Sequence, residues 1–153
     1  MFYAVHAIVG YLIAGYFSSI LLIIILALAS HFILDIIPHW DGFYDKTFFE
    51  ATGYVKNMGR KMIFAEILDL LITLFIVIYF IIFTPESNKM ILIGVIASLS
   101  PDIIKIGYFT PLKKNSLFIK YLDFHSRIQR EVGWKCGIFI QLIIVIVLFL
   151  ILQ

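Results

Sequence analysis

The chain has 153 residues, 62% of them hydrophobic and 14% charged, with a formal net charge of +2 and a mean hydropathy of +1.03. Soluble domains are usually about 45–50% apolar and about 25% charged, so a water-facing monomer is excluded, and so is a disordered chain. The small charge argues against nucleic acid as a partner, and the single Cys136 excludes a disulfide framework and a thiolate zinc site. The length fits one domain over residues 1–153.

A spanning helix needs about 20 mostly apolar residues. Met1 to His6 lack the positive segment of a cleavable signal, so the first apolar run is read as mature protein. The run at 2–37 suits two spans, 2–17 and 19–37, separated by a turn at Gly15-Tyr16-Phe17-Ser18-Ser19. The first is short, and is expected to tilt or to cross only in part. The aromatic-rich segment 42–59 is expected at headgroup level. A third span is expected at 60–83, a fourth at 89–108 and a fifth at 132–152.

Between the last two, Leu117, Tyr121, Leu122, His125 and Ile128 recur at three- and four-residue intervals among basic residues. This spacing predicts an amphipathic interfacial helix over 116–130, with Ser116 as its cap. The expected fold is all-α and polytopic: two helical hairpins, a C-terminal span and one interfacial helix.

Lysine and arginine set the orientation. Segment 38–61 carries Lys46, Lys56, Arg60 and Lys61, and segment 105–135 carries seven more, whereas the turn at 84–89 has only Lys89. The positive-inside rule puts both basic segments and the N-terminus in the cytoplasm, with the C-terminus outside, in a bacterial or archaeal-type cytoplasmic membrane. Membrane lipids are the expected partners. Lys113, Lys114, Arg127 and Arg130 are expected to meet anionic headgroups, each contact contributing about 1 kcal/mol.

The ionisable residues inside the spans are His6, His31, Asp35, Glu66, Asp69 and Asp102. A charge at the bilayer centre costs about 2.5–3.5 kcal/mol, so such residues persist when paired, metal-bound or facing water. All six fall in the cytoplasmic half, and Asp69 is the deepest, about 13 Å beyond Arg60. His31 and Asp35 are four apart and share a helix face; so are Asp35 and His39, although Pro38 is expected to end the helix first. Glu66 and Asp69, three apart, also share a face.

Imidazoles and carboxylates at one depth suit zinc, manganese or iron. The candidate ligands are His6, His31, Asp35, His39, Asp102 and His125, with Asp69 and Asp35 as candidate catalytic carboxylates. A faint repeat supports the convergence. Asp35-Ile36-Ile37 and Asp102-Ile103-Ile104 each follow an Ala-Ser pair, as if two parallel hairpins faced each other.

These motifs resemble a known family. A His in an N-terminal apolar helix, His-x3-Asp-x2-Pro-His-x-Asp at 31–41, Ser100-Pro101-Asp102 late in a later span and a downstream His125 look like the YdjM-like membrane-bound metal-dependent hydrolases. Ser100 stands where members usually have leucine before Pro-Asp, and Phe124-His125-Ser126-Arg127 is the nearest approach to their His-rich segment. The resemblance implies a metal-dependent hydrolase. Acting on a lipid ester or phosphoester at the cytoplasmic leaflet is the reading that follows.

Two rivals stand beside it. The same cluster would serve a transporter or channel as an ion or proton relay, with a homo-oligomer supplying the pore because the outer half lacks polar residues. It would serve a non-catalytic scaffold as polar glue between helices. Blander roles exist for single residues: a backbone bond for His6, pairing with Arg60 or Lys61 for Glu66, a solvated turn for His39 and Asp41, and capping near the Pro101 kink for Asp102.

Overall fold

Six α-helices form among the described residues of the computed structural model, which are 1–40, 60–84 and 87–151. They are α1 (Tyr3–Tyr16), α2 (Ile20–Ile36), α3 (Arg60–Phe83), α4 (Asn88–Lys105), α5 (Ser116–Ile128) and α6 (Trp134–Ile151). The expected headgroup-level segment at 42–59 lies outside the described residues, as does Asp41.

Local chemistry sets the helix ends. The Ser19 hydroxyl accepts from the Leu22 N–H and caps α2. That helix stops at Ile36 because Ile37 precedes Pro38, whose ring steers its neighbour to the extended backbone seen there. Asn115, not Ser116, caps α5: its side-chain oxygen accepts from the Leu117 and Phe118 N–H groups. The fourth helix is shorter than the expected 89–108, giving way at Lys105 to two 3-10 turns, Ile106–Phe109 and Pro111–Lys114.

α4 runs unbroken through Pro101. Proline lacks the N–H that the Ala97 carbonyl would accept one turn earlier. The Ser100 hydroxyl takes that place, donating to the Ala97 carbonyl at 2.8 Å.

α1 lies at the centre, packed against α2, α3 and most extensively α4, while α4 also packs along α2. The core joins Ala7, Ile8 and Tyr11 to Phe80, Ile91 and Val95, with the Tyr11 and Phe80 rings stacked 3.7 Å apart. Gly10 and Gly94 let the α1 and α4 backbones touch, since a Cβ on Gly10 would sit 2.5 Å from the Gly94 carbonyl oxygen. Gln141 ties α6 in, its oxygen accepting from the Phe2 N–H and its amide donating to the Trp40 carbonyl.

Three backbone bonds fasten the exit of α5 to the exit of α2. The Arg130 N–H donates to the Asp35 carbonyl, the His39 N–H to the Arg130 carbonyl and the Val132 N–H to the His39 carbonyl. These bonds hold α5 across the end of α2.

Two helices are long and apolar enough to cross a membrane, Phe64–Phe83 and Trp134–Ile151, and only 11% of each window is buried. Their outer faces present Phe64, Leu71, Phe75, Phe139, Ile146 and Leu150. α1 and α2 have 14 and 17 residues, about 21 and 26 Å at the helical rise and short of a bilayer core of about 30 Å. α4 has the length but includes Lys89, Asp102 and Lys105.

Gly94→Ala drives a methyl group into the Gly10 carbonyl, and it is expected to lower stability by about 1–3 kcal/mol. Gly133→Ala, whose Cβ would meet nothing within 4 Å, should shift stability by less than about 0.5 kcal/mol. Thermal unfolding in detergent compares the two.

Candidate metal centre

Four helices deliver the site. His6 comes from the first turns of α1, His31 and Asp35 from the last turns of α2, Asp102 from the end of α4 and His125 from α5. All five side chains are buried. They lie at one end of the bundle, because α1 begins where α2 and α4 finish.

The orientation of His31 is fixed through backbone. Its Nδ1–H donates to the Ser98 carbonyl at 2.7 Å, and a carbonyl only accepts, so in the neutral ring Nε2 carries the lone pair. That Nε2 stands 3.3 Å from Asp35 Oδ2 and 3.1 Å from His125 Nε2, and the His125 nitrogen is 3.6 Å from the same Asp35 oxygen. Donors about 2.0–2.1 Å from a tetrahedral zinc ion lie about 3.3 Å from one another. The triangle of 3.1, 3.3 and 3.6 Å has those proportions.

A second group, His6, His31 and Asp102, shares His31 with the first, and in each the donor atoms lie within 4.8 Å of one another. Asp102 Oδ1 is 3.8 Å from His31 Nε2 and 3.6 Å from His125 Nε2. The His6 ring stacks on His31 with centroids 4.0 Å apart, and its Nε2 is 3.3 Å from Asp35 Oδ1. Because Nδ1 of His31 is already committed, its one remaining nitrogen serves a single ion.

Buried polar atoms that make no hydrogen bond reinforce the fit. Both ring nitrogens of His6, Oδ2 of Asp35 and Nδ1 of His125 make no hydrogen bond among the described residues. Such orphans are uncommon in folded proteins, and atoms of this kind are suited to act as metal ligands. Burial pushes the His125 imidazole down to about 4, and the nearby Lys105 ammonium adds to the push, leaving it neutral at pH 7 and able to ligate.

Two cations of the chain border the carboxylates. Lys105 Nζ lies 2.5 Å from Asp102 Oδ1, and the Met1 amino group lies 3.2 Å from Asp35 Oδ1. The Tyr121 hydroxyl donates to the Pro101 carbonyl at 2.6 Å, tying α5 to α4 one turn before His125.

The structure therefore gathers His6, His31, Asp35, Asp102 and His125. His39 is buried but belongs to neither donor group among the described residues; its Nδ1 donates to the Ile37 carbonyl at 2.7 Å. Asp69 is engaged elsewhere. Its carboxylate accepts from the Tyr3 N–H at 2.7 Å and the Ala4 N–H at 3.4 Å, so a side chain from α3 caps the start of α1. Sequence reasoning treated Lys105 only as a topological charge, although it follows Asp102 by three residues on one helix face. No sequence signal announces the Ser98 carbonyl, since every residue has one.

No protein-family model, curated protein or solved structure matches this chain.

Asp69→Asn keeps an acceptor for the α1 N–H groups and is expected to leave metal uptake unchanged. Asp69→Ala should cost about 1 kcal/mol of stability through the lost cap, again with metal retained. Metal content and thermal unfolding of both variants check this, and loss of metal in Asp69→Asn would restore the carboxylate to the site.

Proposed function

We propose that this protein is a membrane-embedded, metal-dependent hydrolase acting on a lipid ester or phosphoester at the cytoplasmic leaflet. The observation that carries the reading is the convergence of His31, Asp35 and His125 donor atoms at 3.1–3.6 Å, with His31 aimed by a backbone carbonyl. Ligating histidines are commonly held in this way through their second nitrogen. The resemblance of the 31–41 and 100–102 motifs to the YdjM-like hydrolases supports the same class.

A divalent ion on this nitrogen and oxygen donor set, zinc ahead of manganese or iron, would supply Lewis acidity. His31, His125 and Asp35 would hold it, with Asp102 and His6 completing the set. The second oxygen of Asp35 faces His6 and the Met1 amino group, and it would be the carboxylate oxygen placed to take a proton from water if the Met1 amino group gives way.

The membrane reading rests on the two long apolar helices and their exposed faces. It extends to five spans, in which α1, α2 and α4 cross as shorter or more polar helices beside α3 and α6. The basic segments then face the cytoplasm. The exposed Lys113, Lys114, Arg127 and Arg130 lie on or beside α5, where they would meet anionic headgroups.

One observation favours a structural polar cluster as a second reading. Lys105 on Asp102 and the Met1 amino group on Asp35 already give both carboxylates cationic partners. The two readings part on metal. The detergent-purified protein is expected to hold about one ion per chain, since both donor groups share one His31 nitrogen. Added metal should raise its melting temperature. His31→Ala and Asp102→Asn should both abolish uptake and hydrolysis of lipid phosphoesters or esters. A wild type that takes up no metal, and variants that lose the same stability with and without it, would establish the structural cluster.

A further inference from the structure

We propose that Lys105, seated on Asp102 at the edge of the donor group, receives a phosphoryl oxygen of the ligand. The site then takes a phosphorylated molecule, a phospholipid headgroup or free phosphate, in preference to a carboxyl ester. The proposal rests on the metal reading above and narrows its substrate class.

The argument starts from a shared atom. Asp102 Oδ1 is the oxygen that Lys105 Nζ touches, and it is also the oxygen nearest the His31 and His125 nitrogens. A divalent ion drawn onto that oxygen meets the ammonium over the same atom, and like charges that close repel strongly where water is scarce. The Lys105 side chain is 12% exposed, so it has little solvent into which to carry its charge. It also has four rotatable carbons of reach and three N–H donors.

A bridging anion relieves the strain. A phosphoryl group bears several anionic oxygens, so one can face the metal while another accepts from the ammonium. A carboxyl ester offers one uncharged carbonyl oxygen and brings no negative charge to set between the two cations. The approach has matching charge: exposed Lys113, Lys114, Lys120 and Arg130 lie on or beside the helix that delivers His125.

The test measures binding, not turnover. Metal-loaded wild type and the Lys105→Met and Lys105→Arg variants are titrated in detergent with inorganic phosphate, and separately with phosphatidic acid in the micelle. Metal content is measured alongside. Metal-loaded wild type is expected to bind at least one probe, and more tightly than the metal-free protein. Lys105→Met should keep its metal and bind that probe about tenfold more weakly, the scale of one charge-assisted hydrogen bond. Lys105→Arg should recover most of the affinity.

Binding of phosphatidic acid alone names the lipid as the source, and comparable binding of phosphate names the free anion; both uphold the site. Equal binding by wild type and Lys105→Met overturns the proposal, as does a metal-loaded wild type that binds neither probe. Loss of metal in Lys105→Met also overturns it, making Lys105 a support for Asp102. A wild type that takes up no metal brings down the metal reading itself, an outcome distinct from the other three.

Discussion

The bond from His31 Nδ1 to the Ser98 carbonyl is the interaction on which the site depends. It joins α2 to α4 and turns the other ring nitrogen toward Asp35, Asp102 and His125. A helix carbonyl can receive an imidazole only where the helices approach closely. The Gly10–Gly94 contact brings α1 onto α4 one turn before Ser98, and α2 packs along the same helix. Small residues thus set the α1–α4 distance, and the Ser98 carbonyl on α4 sets the His31 tautomer.

The remaining donors arrive through equally local devices. The extended exit forced by Pro38 lets residues 35 to 39 pair with 130 to 132, and that pairing holds α5 across the site. The hydroxyl of Ser100 satisfies the carbonyl that Pro101 orphans, so α4 stays helical long enough to deliver Asp102. None of these bonds involves a metal donor atom. The positions of the donors are therefore set by the chain, as a site that binds an ion without large rearrangement requires.

Much of this was legible in the sequence. The turn at 15–19, the stop at Pro38 and the amphipathic helix near 116 follow from apolar spacing and breaker residues. Burial cost singled out His6, His31, Asp35, Glu66, Asp69 and Asp102, and the interfacial-helix stripe added His125; of these, His6, His31, Asp35, Asp102 and His125 converge. What the sequence could not reveal depends on backbone placement. Asp69 is half-buried beside the α1 N–H groups that it caps, and hydropathy sees only the depth of an acid, not the helix start beside it. The cap on α5 fell to Asn115 instead of its neighbour Ser116 because one residue of register decides which side chain overlies the first turn. His39 shares its four-residue spacing with Asp35, but Pro38 takes it off the helix, so spacing lost its meaning there.

The helix ends give the site its sign. A helix carries the equivalent of about half a positive charge at its start and half a negative charge at its finish. α2 and α4 both finish at the donor group, so two negative ends face it. α1 starts there, and its positive end would repel a cation, but the Asp69 carboxylate covers the first two N–H groups of that helix. An acid that makes no contact with the donor group thereby removes the one helix dipole opposed to a metal. With three imidazoles and two carboxylates at the same end, the donor group favours positive charge, and Lys105 and the Met1 amino group answer it from within the chain.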